Sequence, residues 1–253
     1  MTKTTMFWTK LRGAWRISKF AVHSFWALLR VVILTRLGKL TLERGLELRR
    51  SWAEGTARVL NFKITFEGDI PENEACLYVG NHRSSLDPIF VMARIKAFPV
   101  SRAEVRNWPI VGKGSDMTGI IFVDKSSRES RQATKVALLN EMKKGNSVLI
   151  FPEGRTNVQP LTATFQKGSF EQAAQGGFRV VPFVLEYKDK GQYWDHTDNF
   201  AMHFLKEFGK RGVEIKVRFG PPIQSDNSWT LLRQAQAWID ENIPLVRAEW
   251  DGD

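Results

Sequence analysis

Beyond residue 60 the chain alternates short apolar runs with helical stretches, and that alternation restricts its fold more than any other feature. Leu60–Gly68 alternates as a strand does, and Cys76–Gly80 is a short buried strand that ends at Asn81. Further strands are expected at Phe98–Glu104, Ile120–Asp124, Ser147–Phe151, Val180–Tyr187 and Val213–Phe219. Between them lie expected helices at 85–95, opened by Ser85, Asp87 and Pro88, and at Ser126–Lys144, ended by Gly145. A Gly-broken helical stretch fills the gap before Ile120, and Gly168–Gln175 is a short helix closed by Gly176-Gly177. Residues 189–211 are less regular, and Asn227–Asn242 is a final amphipathic helix. The pattern predicts an α/β fold, a mixed sheet flanked by helices. A length of 253 residues suffices for one such domain and a short appendage.

The appendage is set apart by charge. Residues 1–50 carry eleven Lys or Arg against Glu43 and Glu47, which leaves about one unit of the net +10 for the rest of the chain. A uniformly basic chain suggests nucleic acid. A basic end interleaved with Phe7, Trp8, Trp15, Phe20, Phe25 and Trp26 suits an anionic membrane surface instead, so no nucleic-acid partner is expected. The best apolar run, Phe20–Leu34, is interrupted by His23 and Arg30 and falls short of the about 20 residues of a span. Trp8, Leu11, Trp15, Val22, Trp26, Leu29 and Ile33 share one helical stripe, with Arg12, Arg16, Lys19 and Arg30 close beside it. The expectation is a monotopic helix or helix pair at the cytoplasmic face of a membrane, with a short tilted span as the alternative. Residues 1–50 then form a membrane-associated helical segment, and 51–253 the α/β domain. The single cysteine, Cys76, excludes an internal disulfide and a cysteine-based metal site.

Chemistry is concentrated where strands give way to loops. In Gly80-Asn81-His82-Arg83-Ser84-Ser85-Leu86-Asp87-Pro88, His82 and Asp87 do not share a face of a straight helix, but across a strand-to-helix turn they can meet. Asp87 would then orient the imidazole and leave its second nitrogen free as a base. No G-x-S-x-G elbow supplies a serine nucleophile, and Cys76 sits inside an apolar strand. A second group, Phe151-Pro152-Glu153-Gly154-Arg155-Thr156, follows another strand and offers an Arg fork suited to phosphate or carboxylate. Gly119–Lys125 delivers a cation at a strand end. Val180-Val181-Pro182-Phe183-Val184 contains a proline that argues for an edge strand or a bulge.

Together these groups resemble the glycerolipid acyltransferase family, which includes the 1-acylglycerol-3-phosphate acyltransferases. The resemblance runs from about residue 60 to 222. Asn81, His82 and Asp87 match its Asn-His-x-x-x-x-Asp block, and residues 151–154 match its Phe-Pro-Glu-Gly block. Residues 119–125 and 180–183 fall where its second and fourth blocks belong, and Phe165-Gln166-Lys167-Gly168-Ser169-Phe170 is similar to the family's stretch between the third and fourth. The resemblance implies that His82 is the general base and Asp87 its orienter. It implies that Lys125, Glu153, Gly154 and Arg155 bind the phosphate and glycerol part of the acceptor. Two departures touch that pocket: Lys125 stands where the family usually has Arg, and Arg155 precedes Thr156 where the family usually continues Thr-Arg.

The implied reaction moves a fatty acyl group from an acyl thioester to a hydroxyl of a lysophospholipid, with 1-acylglycerol-3-phosphate, giving phosphatidate, as the expected acceptor. The thioester, on coenzyme A or acyl carrier protein, is a co-substrate; no cofactor and no metal are expected, since no P-loop is present and His23, His196 and His203 lack ligand spacing. Rival readings are the same chemistry on a lyso-aminolipid or glycolipid, a lipid hydrolase in which His82 activates water, and a non-catalytic membrane-surface lipid-binding protein.

Overall fold

A computed structural model describes residues 3–103, 119–123, 127–194 and 199–251. A leader of α1 (Lys3–Arg36) and α2 (Leu42–Leu60) precedes the strands β1 (Phe62–Glu67), β2 (Cys76–Gly80), β3 (Ala97–Arg102), β4 (Ile121–Val123), β5 (Ser147–Ile150), β6 (Arg179–Tyr187) and β7 (Val213–Phe219). Helices α3 (Asp87–Met92), α4 (Arg128–Lys143), α5 (Gly168–Gly176), α6 (Phe200–Glu207) and α7 (Ser228–Asp251) connect or follow them. The described strands form one sheet in the order β1-β7-β6-β2-β5-β3-β4, and every neighbouring pair is parallel except β6 and β7. The chain is thus an α/β protein with a mixed sheet flanked by helices and a long apolar helix at its N-terminal end.

The central strands are buried on both faces, which is why they read as continuous apolar runs: all five residues of β2 and eight of nine in β6 are buried. Cys76, Tyr78, Val181, Phe183 and Leu185 face a core with α2, α3 and α6. Leu77, Val79, Val148, Val180 and Val184 face a second core with α4, α5 and α7. β7, nearer the edge, alternates buried Val213, Ile215, Val217 and Phe219 with more accessible polar residues. Caps set the helix ends: Thr41 Oγ1 accepts from Arg44 N, Ser127 Oγ accepts from Ser130 N, and Asn61 closes α2 at φ 61°.

β2 leads through α3 to β3, while β5 leads through α5 to β6 on the opposite side. β2 and β5 are neighbours in register, Val79 against Ile150. Their onward connections therefore diverge, and a crevice opens at their carboxyl ends, the place where open α/β sheets bind ligands.

Pro182 lies in an interior strand rather than at an edge, and a bulge accommodates it. The β6–β7 ladder stops at Phe183↔Phe219 and pairing resumes at Val180↔Ile223, so three steps along β6 face four on the partner. Pro182 contributes only its carbonyl, which accepts from Gly220 N at 2.8 Å. Three other expectations shift. The boundary expected at residue 50 falls inside α2, whose buried Leu46, Ala53, Ala57 and Leu60 carry one apolar face across it. The last helix runs through Pro244 to Asp251, because Val246 and Trp250 extend the buried face beyond the one backbone bond the proline forfeits. The irregular region at 189–211 contains α6, capped by Asn199, whose side chain accepts from Met202 N. The Gly-broken stretch before Ile120 lies outside the described residues.

Candidate active site

The strand-to-helix turn after β2 brings His82 and Asp87 together: His82 Nδ1 lies 2.9 Å from Asp87 Oδ2. Gly80 lets the turn begin where it does, since a Cβ there would lie 2.2 Å from the Phe183 ring. Asp87 is 0% exposed and begins α3, with Pro88 in the first turn. Its Oδ2 also accepts from Arg83 N at 2.6 Å and Ser84 N at 2.8 Å, so the carboxylate fixes the turn as well as the imidazole. Its Oδ1 accepts from Tyr187 Oη at 2.6 Å. Burial first, and then the Asp87 charge, hold the Tyr187 hydroxyl well above its ordinary pKa, so it stays a donor. The His82 ring stacks on Phe151 at 4.3 Å between centroids, and with Nδ1 on Asp87, Nε2 is the nitrogen left to meet a substrate.

Glu153, three residues past the end of β5, ties this turn to the next loop. Its Oε1 accepts from His82 N at 2.9 Å, and its Oε2 accepts from Asn157 Nδ2 and Ala163 N, both at 2.8 Å. Burial is the largest influence on this carboxyl and raises it above the usual range, against those three donors. Asn157 N in turn donates to His82 O at 2.7 Å. Gly154, at φ 75°, turns the chain after Glu153 and donates to Phe151 O at 3.0 Å.

A polar network behind the dyad holds the turn rigid. Asn81 pairs with β6 as a strand residue would, its Oδ1 accepting from Leu185 N at 2.8 Å and its Nδ2 donating to Leu185 O at 2.9 Å. Arg83, 1% exposed, pairs with the buried Glu186 at 2.7 Å and donates to the carbonyls of Asn157 and Pro160 at 3.0 and 3.1 Å. Glu186 Oε2 also accepts from Tyr193 Oη and, at 3.2 Å, from Arg247 of α7. Asn81 belongs to the matched motif and Arg83 lies within it, whereas nothing in the sequence motifs marked Glu186, Tyr187, Tyr193 or Arg247. The one legible signal was an acid, Glu186, at the end of an otherwise apolar strand.

His82, Gly154 and Arg155 line one cavity of about 990 Å³ that runs from the crevice to α1 and α2. Asp87 and Glu153 stand behind its wall, and Glu153 spends its carboxylate on the chain itself. Lys125 lies outside the described residues. Arg30, Arg49, Arg102, Arg131, Lys135 and Arg155 line the cavity, and no carboxylate does so among the described residues. Arg49 donates to Ala97 O and Gly119 O, and burial brings its guanidinium down to about 10. Cys76 is fully buried, and burial first pushes its thiol up to about 12, so it offers no thiolate. No three described His, Cys, Asp or Glu side chains come together as a metal site. The arrangement can take a proton from a hydroxyl at His82 Nε2 while cations hold an anionic group nearby.

α1 runs along the domain as one helix, about 50 Å long at 1.5 Å per residue. It packs on α2 and α6: a Cβ on Gly13 would meet Leu205 O at 2.0 Å, Arg16 Nη1 donates to Phe208 O at 2.7 Å, and His23 Nε2 lies 3.0 Å from Trp52 O. Its stretch Phe7–Arg36 is long and apolar enough to cross a membrane. Phe7, Trp8, Trp15, Val22, Phe25 and Trp26 are exposed, Trp15 by 65%.

A family model described as Acyltransferase matches residues 61–186. A lyso-ornithine lipid O-acyltransferase of Pseudomonas aeruginosa is 30% identical over 196 residues, 75% of each chain. A chloroplastic 1-acyl-sn-glycerol-3-phosphate acyltransferase of Arabidopsis thaliana is 27% identical over 192 residues, 73% of this chain and 50% of that one. A 1-acyl-sn-glycerol-3-phosphate acyltransferase of Neisseria gonorrhoeae is 28% identical over 141 residues, 54% of each. The chain thus spans about half the length of the latter two. The crystal structure of the 1-acyl-sn-glycerophosphate acyltransferase PlsC of Thermotoga maritima shares the fold, with a TM-score of 0.72 over 98% of each chain at 16% identity.

Proposed function

The chain belongs to the acyltransferase family and is an acyl-transfer enzyme, and from that premise we propose that it acylates a hydroxyl of a lysolipid, with 1-acylglycerol-3-phosphate as acceptor and phosphatidate as product. The observation that carries the reading is the His82–Asp87 pair at the wall of a cavity lined by cations. His82 Nε2 takes the hydroxyl proton as the oxygen attacks the thioester carbonyl, and returns it to the departing thiolate. Asp87 keeps the imidazole in the tautomer with its proton on Nδ1 and offsets the imidazolium charge. The acyl donor is a thioester of coenzyme A or acyl carrier protein, already activated, so the reaction needs no further cofactor. Arg155 and Gly154, beside His82 in the wall, meet the acceptor headgroup, joined by Lys125; Glu153 positions the loop that carries them.

The chain is membrane-associated through α1. Contacts with α2 and α6 along much of its length favour a monotopic helix that lies in the interface on the cytoplasmic face, because a crossing α1 would draw the domain in with it.

A lyso-ornithine lipid is the second acceptor to weigh, favoured by the similarity to the Pseudomonas aeruginosa enzyme. The cation-lined wall suits a phosphate of up to about two negative charges better than an ornithine headgroup, whose carboxylate is offset by an ammonium that finds no carboxylate among the described lining residues. A mass-resolved assay in detergent micelles, with acyl-CoA and acyl carrier protein donors against both lysolipids, decides. Phosphatidate as the main product supports the proposal, and product from lyso-ornithine lipid alone overturns the acceptor.

A further inference from the structure

The start of α5 adjoins the Phe-Pro-Glu-Gly turn, Gln166 N donating to Pro152 O at 2.9 Å, and Gln166, Gly168 and Ser169 line the cavity there. The first amides of any α-helix lack an intrahelical partner. In α5 the residue at the cap position is Lys167, which makes no capping hydrogen bond. Ser169 is 6% exposed, and its Oγ meets no hydrogen-bond partner. A buried hydroxyl without a partner is rare in a folded protein. Lys135 of α4 crosses over the same turn: a Cβ on Gly168 would lie 3.0 Å from its Cε and 3.8 Å from its Nζ. Lys135 Nζ also pairs with Glu171 at 2.7 Å, and Lys167 with Glu171 at 3.4 Å, but Glu171 does not reach the cavity.

We propose that the start of α5 is a phosphate-binding subsite, in which the amides of Gly168 and Ser169, the Ser169 hydroxyl and Lys135 hold a phosphate group of a substrate. A helix N-terminus presents its amides and the positive end of its dipole to an anion. The glycine leaves room for Lys135 to lie across the turn. Only the bearer of the phosphate rests on the acyl-transfer reading: it is the acceptor headgroup or the phosphopantetheine of the donor.

The test uses the full-length protein in detergent, with pyrophosphate as probe in calorimetric titration, on the parent, Ser169→Ala and Gly168→Ala. Gly168 has no left-handed φ, so alanine fits its backbone and improves helix propensity, while its methyl displaces Lys135. Both variants should melt at or above the parent temperature and bind pyrophosphate about tenfold more weakly. In turnover, a rise of similar size in KM for 1-acylglycerol-3-phosphate alone assigns the headgroup, and one in KM for acyl-CoA alone assigns the donor. Pyrophosphate affinity and both KM values unchanged in the two variants overturn the subsite. A parent that binds pyrophosphate through these residues yet transfers no acyl group to 1-acylglycerol-3-phosphate overturns the proposed acceptor and leaves the subsite standing.

Discussion

Tyr187→Phe removes one oxygen and nothing else from the site, and its effect can be worked out from the contacts of Asp87. The phenol donates to Asp87 Oδ1 at 2.6 Å, in a place where the carboxylate is 0% exposed and water cannot substitute. A hydrogen bond to a charged group contributes about 1.5–3 kcal/mol. Expressed wholly in rate, that is a loss of about ten- to a hundredfold. Expressed wholly in stability, it lowers Tm by about 3–12 °C for a chain of this size. The contacts assign most of it to rate. Arg83 N and Ser84 N still hold Oδ2, so the turn keeps its shape, while the freed Oδ1 lets the carboxylate plane rotate about the Oδ2 that the imidazole bonds and spoils the alignment of that bond. The variant should therefore lose at least about tenfold in kcat, with a small change in Tm. Burial keeps the phenol protonated in the parent, so the ratio of variant to parent should stay constant through the alkaline range. The assay is kcat and kcat/KM against pH under conditions where chemistry limits turnover. A variant that melts several degrees lower with the parent's rate would refute the argument and make Tyr187 a packing residue.

Other perturbations test the same account. Glu153→Gln turns an amide NH₂ toward at least one of the three N–H groups that now meet the carboxylate, and should cost about 1–3 kcal/mol of stability. Burial raises the Glu153 carboxyl, so its contribution to stability is full below the unfolded pKa and lost as pH rises through the folded one. The Tm deficit of the variant should thus be largest in acid and shrink toward neutrality, and a deficit that widens with pH would contradict this. Trp8→Ser combined with Trp15→Ser should weaken binding to anionic vesicles by at least about tenfold in a flotation assay, with Tm in detergent unchanged; equal binding would place the anchor elsewhere. Gly80→Ala drives a methyl into the Phe183 ring and should lower Tm and activity together, whereas a variant with parental Tm would show that β6 yields more than its packing suggests.

What was legible in the sequence was what is local or doubly buried. β2, β5 and β6 read as strands because their residues are apolar on both faces. His82 and Asp87 read as a pair because five residues and one turn bring them together. The support of that pair was not legible, since Asn81, Arg83 and Asp87 find Leu185, Glu186 and Tyr187 across about a hundred residues of chain. Such contacts leave no periodic trace; only an acid in an apolar strand hinted at them. Tertiary packing decided what the two prolines do: Pro182 sits in an interior strand and is received by a bulge, one of the two settings its residue type allowed, and buried Val246 and Trp250 carry α7 past Pro244, beyond the helix end expected at Asn242. The first fifty residues are basic and aromatic, but charge gives no helix end, and the turn near residue 38 became visible only with α2 in place.

The central claim, that His82 is the base of an acyl transfer, is tested most directly by comparing the parent with His82→Ala in single-turnover acyl transfer from acyl-CoA to 1-acylglycerol-3-phosphate, with Tm measured alongside. The predicted result is a fall of about 10²–10⁴ in the rate of the chemical step at an unchanged Tm. A variant that retains more than about a tenth of the parental rate would contradict it, and would move the search for the base to another group in the cavity.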